Sequence, residues 1–267
     1  KIKKNGKLDE ICNKYFSNGT PTPVTSAKED PNKDQLVVAT NAEFAPWEYK
    51  EGNQYFGIDM EIAKLIAAEL DEKEEFTMNA REKLAEMGML GTYIPEEYGG
   101  AGLSYLTYIA CCEELAKYCA STSIMFSVHG SLCSWPILEF GTEEQKQKYL
   151  VPLAQGEKLG AMGLTEPGAG TDAAGVRTTA ELKGDKYILN GTKCFITGGA
   201  RAGVLVIFAS TDPSKGTRGI TAFIVEKGFK GFSFGTKEKK MGIRASATYE
   251  LVFDECEVPA ENLLGKE

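Results

Sequence analysis

Hydrophobic and polar positions change their period along this chain, and the changes divide it. In GKLDEICNKYF (6–16) Leu8, Ile11, Cys12 and Tyr15 recur at helical spacing. The following SNGTPTPVTSAKEDPNKD (17–34), rich in Pro, Ser, Thr, Asn and charge, reads as a linker. QLVVAT (35–40) is a short β-branched run, NAEFAPWEYKEGNQYFG (41–57) a loop with a hairpin turn at Glu51–Asn53, and DMEIAKLIAAELDEKEE (59–75) an amphipathic helix.

Helical period then dominates. AREKLAEMGMLG (80–91) predicts a helix closed by Gly88, residues 105–141 predict one or two buried helices, and TEEQKQKYLVPLAQG (142–156) predicts another. Thr142 and Gln145 stand at capping-box spacing at its start. After Gly156 the period falls to two. Residues 180–199 read as two strands around a Lys-Gly-Asp-Lys turn, GVLVIFAST (203–211) as a buried strand, and 219–228 and 248–258 as alternating strands. Turn signals at regular spacing suit a β-barrel or sandwich. No internal repeat or low-complexity tract is present.

Composition narrows the functional classes. With 267 residues, 42% of them hydrophobic and 25% charged, the chain has the make-up of a globular protein of one or two domains. A formal net charge of −8 disfavours a broad nucleic-acid or anionic-membrane surface. The seven cysteines form no C-x-x-C pair and read as small buried thiols in a reducing, cytoplasmic setting. His129 is the only histidine, which excludes a multi-histidine metal centre; no metal site is expected, and His129 reads as an ordinary core residue. No apolar run reaches the ~18 to 20 residues of a membrane span. The chain does not begin with Met, as in a processed or partial sequence.

GLTEPGAGTD (163–172) is the most distinctive stretch. Its glycines would let backbone approach a flat or charged ligand, with Thr and Asp as polar partners. Taken alone, it reads first as a structural turn. In order with LNGTKCFITGG (189–199), GITAFIVEKG (219–228), KMGIRAS (240–246) and LVFDECEVPAENLLG (251–265), however, it resembles the middle β-domain of acyl-CoA dehydrogenases. Upstream, IPEEYGGAGLSYL (94–106), EELAKY (113–118) and FGTEEQKQKYLVPLAQGEKLGAMG (140–163) resemble the N-terminal helical domain of that family. The short-chain, butyryl-CoA-type members are the nearest likeness.

The resemblance implies an α+β, multi-domain fold: a helical domain (76–158), then a β-barrel-like middle domain (159–267), preceded by a partial α/β segment. It implies α,β-dehydrogenation of a short-chain acyl-CoA with FAD as hydride acceptor, electrons passing to an electron-transferring flavoprotein, in a homo-oligomer that is tetrameric in the family. Met162, Gly163, Leu164, Thr165, Gly170 and Thr171 would run along the flavin and its diphosphate, Thr165 giving its hydroxyl to the ring and Thr171 lying near CoA. Phe195, Ile196 and Thr197 would cover the rest of the flavin, with Phe195 where many relatives carry tryptophan. Without the companion loop, CFIT reads as a plain strand. Ile124, Met125, Val128 and Leu132 recur at helical spacing and would floor a short acyl pocket; the same stripe also suits plain core. Lys239, Lys240 and Arg244 would hold a CoA phosphate or form a solvated charged face.

Two departures qualify the likeness. The family continues beyond AENLLGKE (260–267) into a second helical domain that carries the catalytic glutamate, so no catalytic base is assigned to Glu113, Glu114, Glu166 or Glu261. The chain is therefore expected to bind FAD poorly and not to turn over an acyl-CoA unaided. Residues 34–70 resemble the opening strand, loop and helix of extracellular amino-acid-binding proteins of transport systems, with Asn41 and Phe44 facing the ligand, and 3–16 resembles their closing helix. On that reading the segments 1–33 and 34–75 are foreign to the rest, and the chain is a chimeric, truncated or misassembled sequence; the alternative functions are amino-acid binding or a non-catalytic chimeric fragment.

Overall fold

The computed structural model describes residues 43–44, 48–51, 54–56, 78–117 and 119–265. The expected helices 6–16 and 59–75, the linker 17–34, the strand 35–40 and Asn41 lie outside them. In the N-terminal segment, β1 (Glu43–Phe44), β2 (Glu48–Glu51) and β3 (Gln54–Phe56) form an antiparallel sheet, in which Glu51 pairs Gln54 across the expected hairpin turn.

The helical layer begins with α1 (Met78–Glu86), and Gly88 (φ 67°) closes it in the left-handed region as expected. Next come α2 (Tyr105–Ala116), capped by Ser104, and α3 (Ala120–Ser127), which runs into a π-helical stretch, Val128–Ser134, and then α4 (Trp135–Phe140). A last helical rod joins α5 (Glu143–Gln145), a second π-helical stretch (Lys146–Leu150) and α6 (Val151–Ala154). The Thr142–Gln145 capping box forms as its spacing predicts. Both π-helical stretches run up to a proline, Pro136 and Pro152. A proline ring lacks an amide for the carbonyl four residues back and crowds it, so the helix widens there. The expectation of one or two buried helices over 105–141 is corrected in α2, where Tyr105, Leu106 and Ile109 are exposed.

The β-domain is one curved sheet. Its strands are β4 (Gly160–Gly163), β5 (Thr179–Lys183), β6 (Lys186–Thr197), β7 (Val204–Ser210), β8 (Ile220–Glu226), β9 (Phe232–Lys237), β10 (Thr248–Pro259) and β11 (Leu263–Leu264). The order is β11-β8-β7-β5-β6-β10-β9, with β4 parallel to the first half of β7. Among the described residues nothing pairs β11 with β9, so the barrel stays open. β4 and β9 are strands the alternation did not reveal.

The buried run of β7 explains how the layers join. Leu205, Ile207 and Ala209 point into the barrel core with Phe223, Val225 and Leu251, whereas Val204 and Val206 point the other way onto Cys133, Ile137, Tyr149, Leu150 and Leu153 of the helices. A period of two thus feeds two cores from one continuous apolar strand. Polar contacts pin the same interface. Tyr149 donates to Glu226 Oε1 at 3.0 Å, and Gln145 Nε2 donates to the carbonyls of Glu261 (2.7 Å) and Leu263 (2.8 Å).

Candidate functional site

Loop 163–172 and the end of β6 are brought together, with ordered backbone on both sides. Cys194 N donates to Thr165 O at 2.9 Å, and Lys193 Nζ donates to Leu164 O at 3.1 Å. The two segments that the resemblance would place on a flavin are therefore neighbours.

β6 is not a plain strand here. Lys193 pairs Leu251 and Ile196 pairs Tyr249, which leaves Cys194 and Phe195 opposite the single Glu250. This bulge holds Phe195 at φ 59°, uncommon for a bulky residue, and turns its ring outward, 63% exposed. Ile196 instead fills the barrel core, so only its backbone is available to a ligand. Thr165 and Thr197 are half-buried, and among the described residues neither hydroxyl makes a hydrogen bond. Met162 leans on the helical cluster and Gly163 is buried against Ile207.

The outer half of the loop is bare. Gly170 and Thr171 are exposed, and a Cβ added at Gly168 or Gly170 would meet nothing within 4 Å. Neither glycine has a positive φ. Nothing in the chain's own packing requires glycine there, in contrast to Gly130, where a Cβ would lie 2.6 Å from the Tyr108 hydroxyl.

The helices supply one wall of a neighbouring cleft. A shallow groove open to solvent is lined by Met125, Val128, Leu159, Thr197, Arg201 and the turn 245–247. It unites Met125 and Val128 of the expected acyl floor with Thr197 of the expected flavin edge; Ile124 and Leu132 do not line it. Tyr108 inserts into the π-helical stretch that carries this wall: its hydroxyl donates to Ser127 O (2.8 Å) and accepts from Ser131 N (3.2 Å). Tyr93 donates to Gly130 O at 2.8 Å. His129, fully buried, ties the stretch to β4 by accepting from Gly160 N at 3.1 Å. With Nδ1 accepting, the proton is assigned to Nε2, which makes no hydrogen bond of good geometry among the described residues, and burial pulls the imidazole down to about 4 against the opposing pull of the Leu90 and Leu153 backbone.

No carboxylate or thiol in this region is poised to react. Glu166 is 7% exposed and its oxygens take hydrogen bonds from Lys193 Nζ (2.7 Å), Thr178 N (2.9 Å), Thr178 Oγ1 (2.5 Å) and Arg177 N (2.7 Å). Burial alone would raise its pKa, but the bonds from Lys193, Thr178 and the Arg177 amide outweigh that and hold it below the usual carboxylate range. The six described cysteines are free, and burial pushes Cys133 and Cys256 each up to about 12. Lys240 is committed to its own loop, donating to the carbonyls of Ile243 and Ser246. Among the described residues no His, Cys, Asp and Glu cluster suits a metal, and no helix is long and apolar enough to cross a membrane.

Comparison with known proteins agrees with this geometry. Residues 58–157 match the family described as acyl-CoA dehydrogenase, N-terminal domain, and 161–256 the family described as acyl-CoA dehydrogenase, middle domain. The short-chain-specific acyl-CoA dehydrogenase of Clostridium acetobutylicum is 59% identical over 204 residues, 76% of this chain and 54% of that protein. The solved butyryl-CoA dehydrogenase of Megasphaera elsdenii is 53% identical with a TM-score of 0.73, covering 74% of this chain and 53% of that one. An acyl-CoA dehydrogenase of Bacillus anthracis solved in complex with FAD is 45% identical with a TM-score of 0.66, over 70% of this chain and 32% of that one. The chain spans about half the length of the curated relatives it matches.

These matches correct the transporter reading. The N-terminal family region starts at residue 58, inside the segment 34–75 taken as a solute-binding protein. The amphipathic pattern of 59–75 is common to many helices and carried no specific chemistry. Neither the amino-acid-binding alternative nor the chimera finds support in these matches.

Proposed function

The chain belongs to the acyl-CoA dehydrogenase family, and from that premise we propose that it is the flavin- and acyl-binding part of a dehydrogenase that oxidises a short-chain acyl-CoA at its α,β-bond. The observation that carries this reading is the pairing of the bare loop 164–171 with the Phe195 bulge, held in register by the Leu164 and Thr165 carbonyls. FAD is the group that fits. An exposed aromatic face at a strained position, two half-buried hydroxyls without a partner among the described residues, and glycines that the described packing does not require form a surface made for a flat, polar ligand.

When bound, FAD would supply the hydride acceptor. The chain's own part is to bind and orient. Thr165 and Thr197 would offer hydroxyl donors to the ring edge, and Phe195 an aromatic face. Gly168, Gly170 and Thr171 would let the diphosphate and CoA portions approach backbone closely. Met125 and Val128 would line the acyl end of the cleft and keep it free of water. Lining residues include no carboxylate, so the α-proton acceptor is not assigned to any of them.

The wider setting follows from the same reading. We place the protein in the cytoplasm, consistent with six free thiols among the described residues. An electron-transferring flavoprotein is the electron acceptor, the assembly is a homo-oligomer, tetrameric as in the family, and neither nucleic acid nor membrane is a partner. Titrating the purified protein with FAD tests the reading by visible absorbance and flavin fluorescence. The reading requires binding that is weak in this chain but saturable, with a perturbed flavin spectrum; an unshifted free-flavin spectrum at saturating protein contradicts it.

A further inference from the structure

Lys193 and Glu166 form the most deeply buried ion pair among the described residues, with side chains 0% and 6% exposed and Nζ to Oε1 at 2.7 Å. They lie 27 positions apart, one on β6 and the other in loop 163–172. Each makes a second kind of contact. Lys193 holds the Leu164 carbonyl, and Glu166 gathers the amides of Arg177 and Thr178 and the Thr178 hydroxyl. The start of the loop is thereby tied to one cation, and through Glu166 to the backbone at 177–178 that leads into β5.

Glycines make room for this arrangement. A Cβ at Gly163 would touch Lys193 Cγ at 3.4 Å and Ile207 Cδ1 at 2.7 Å, and one at Gly191 would lie 2.5 Å from Thr178 Oγ1. Neither charged group lines the cleft, and both are buried. Burying two charges is costly, and an apolar pair would pack there more cheaply, so stability alone is a weak reason for them. Their directional bonds do something an apolar pair does not: they fix the distance between Leu164–Thr165 and Phe195–Thr197.

We propose that Lys193 and Glu166 are positioning residues whose buried ion pair sets the width of the slot between loop 163–172 and the β6 bulge, and so the fit of the flavin between them. The inference rests on the flavin reading above and deepens it. Neither residue touches the ligand; each acts through the backbone it holds.

Three variants test it: Lys193→Met, Glu166→Gln and the milder Thr178→Val, which removes one bond to Glu166 and keeps the side-chain volume. FAD affinity and the visible band of bound flavin are measured beside amide hydrogen exchange in the flavin-free protein. Lys193→Met and Glu166→Gln should each weaken FAD binding about tenfold or more, as expected for losing a charge-assisted bond, and should shift the bound-flavin band. Exchange should accelerate at residues 164–178 and 193–197 by more than it does in β7 and β8, whose amides report the global loss of stability. Thr178→Val should give the same pattern to a smaller extent, and it decides the matter where the two charged-residue variants do not fold. Variants with wild-type affinity, band position and local exchange overturn this inference and leave the flavin reading standing, as does acceleration at 164–178 and 193–197 no larger than that in β7 and β8. A wild-type protein that binds no FAD overturns both.

Discussion

Two carboxylates of the β-domain are held by lysines in opposite surroundings. Glu166 meets Lys193 in the interior, whereas Glu257 lies on the surface between Lys186 (2.5 Å) and Lys230 (2.7 Å), lysines whose side chains are 41% and 81% exposed. Hydrogen bonds from those two lysines hold Glu257 at about 2, and Glu166 is also held below its ordinary value. The likeness in acidity conceals a difference in consequence. Water and salt screen the Glu257 cluster, and its lysines lose entropy on pairing. The Glu166 pair has no solvent to replace a lost partner, so breaking it strands a charge. Burial, rather than the number of partners or the acidity, marks the pair that shapes the site.

The largest effect should come from Lys193→Met, which leaves Glu166 buried with only neutral donors. A loss of about 3–5 kcal/mol in urea unfolding is expected. Adding Glu166→Gln should restore only part of it, because Glu166 also satisfies the Arg177 and Thr178 amides. Full restoration would show that the backbone bonds are dispensable.

His129 extends the comparison to a buried neutral base. Its folded value of about 4 lies below the ~6.5 of an exposed histidine, so the unfolded chain binds the proton more readily. Its contribution is complete above ~6.5 and is lost as pH falls from there toward 4, amounting to about 3 kcal/mol at the lower end. His129→Gln, which keeps an acceptor for Gly160 N, should flatten that part of the pH–stability curve. Glu166 acts lower, its contribution being present above about pH 4.3 and lost as pH falls through its depressed folded value.

Tyr108→Phe should cost less, about 1–2 kcal/mol, by leaving Ser131 N and Ser127 O without their phenol partner. It should also loosen the wall that carries Met125 and Val128, read as weaker acyl-CoA binding. Glu257→Gln should be the smallest change, a slight shift in thermal midpoint that disappears in high salt. A shift as large as that of Lys193→Met would break the comparison.

Local patterns foretold much of this architecture. Thr142 and Gln145 announced their capping box, Gly88 its helix end, and the alternation of 180–199 its hairpin, since each depends on residues close in sequence. β4 was hidden because its four residues are short and Gly-flanked and pair in parallel with a strand 44 positions away. The π-helical stretches did leave a trace, in Pro136 and Pro152. The exposed face of α2 misled the burial reading because apolar composition says nothing about what covers a helix.

The candidate site was legible only through the order of its motifs. Thr165, Phe195 and Thr197 stood out by resemblance, but no spacing rule places Glu166 beside Lys193 or bends β6 at Phe195. A charged residue at the centre of LNGTKCFIT, where the flanking pattern is buried, was the available sign that a partner had to exist. Ile196 shows the converse limit: membership of a motif did not reveal that its side chain belongs to the barrel core.

Amide hydrogen exchange of the purified protein with and without FAD tests the central claim most directly. The account predicts that FAD slows exchange in loop 163–172 and at 195–198 together, with little change in β9 or α1. Protection of one segment without the other, or protection confined elsewhere, would contradict a single flavin slot between them.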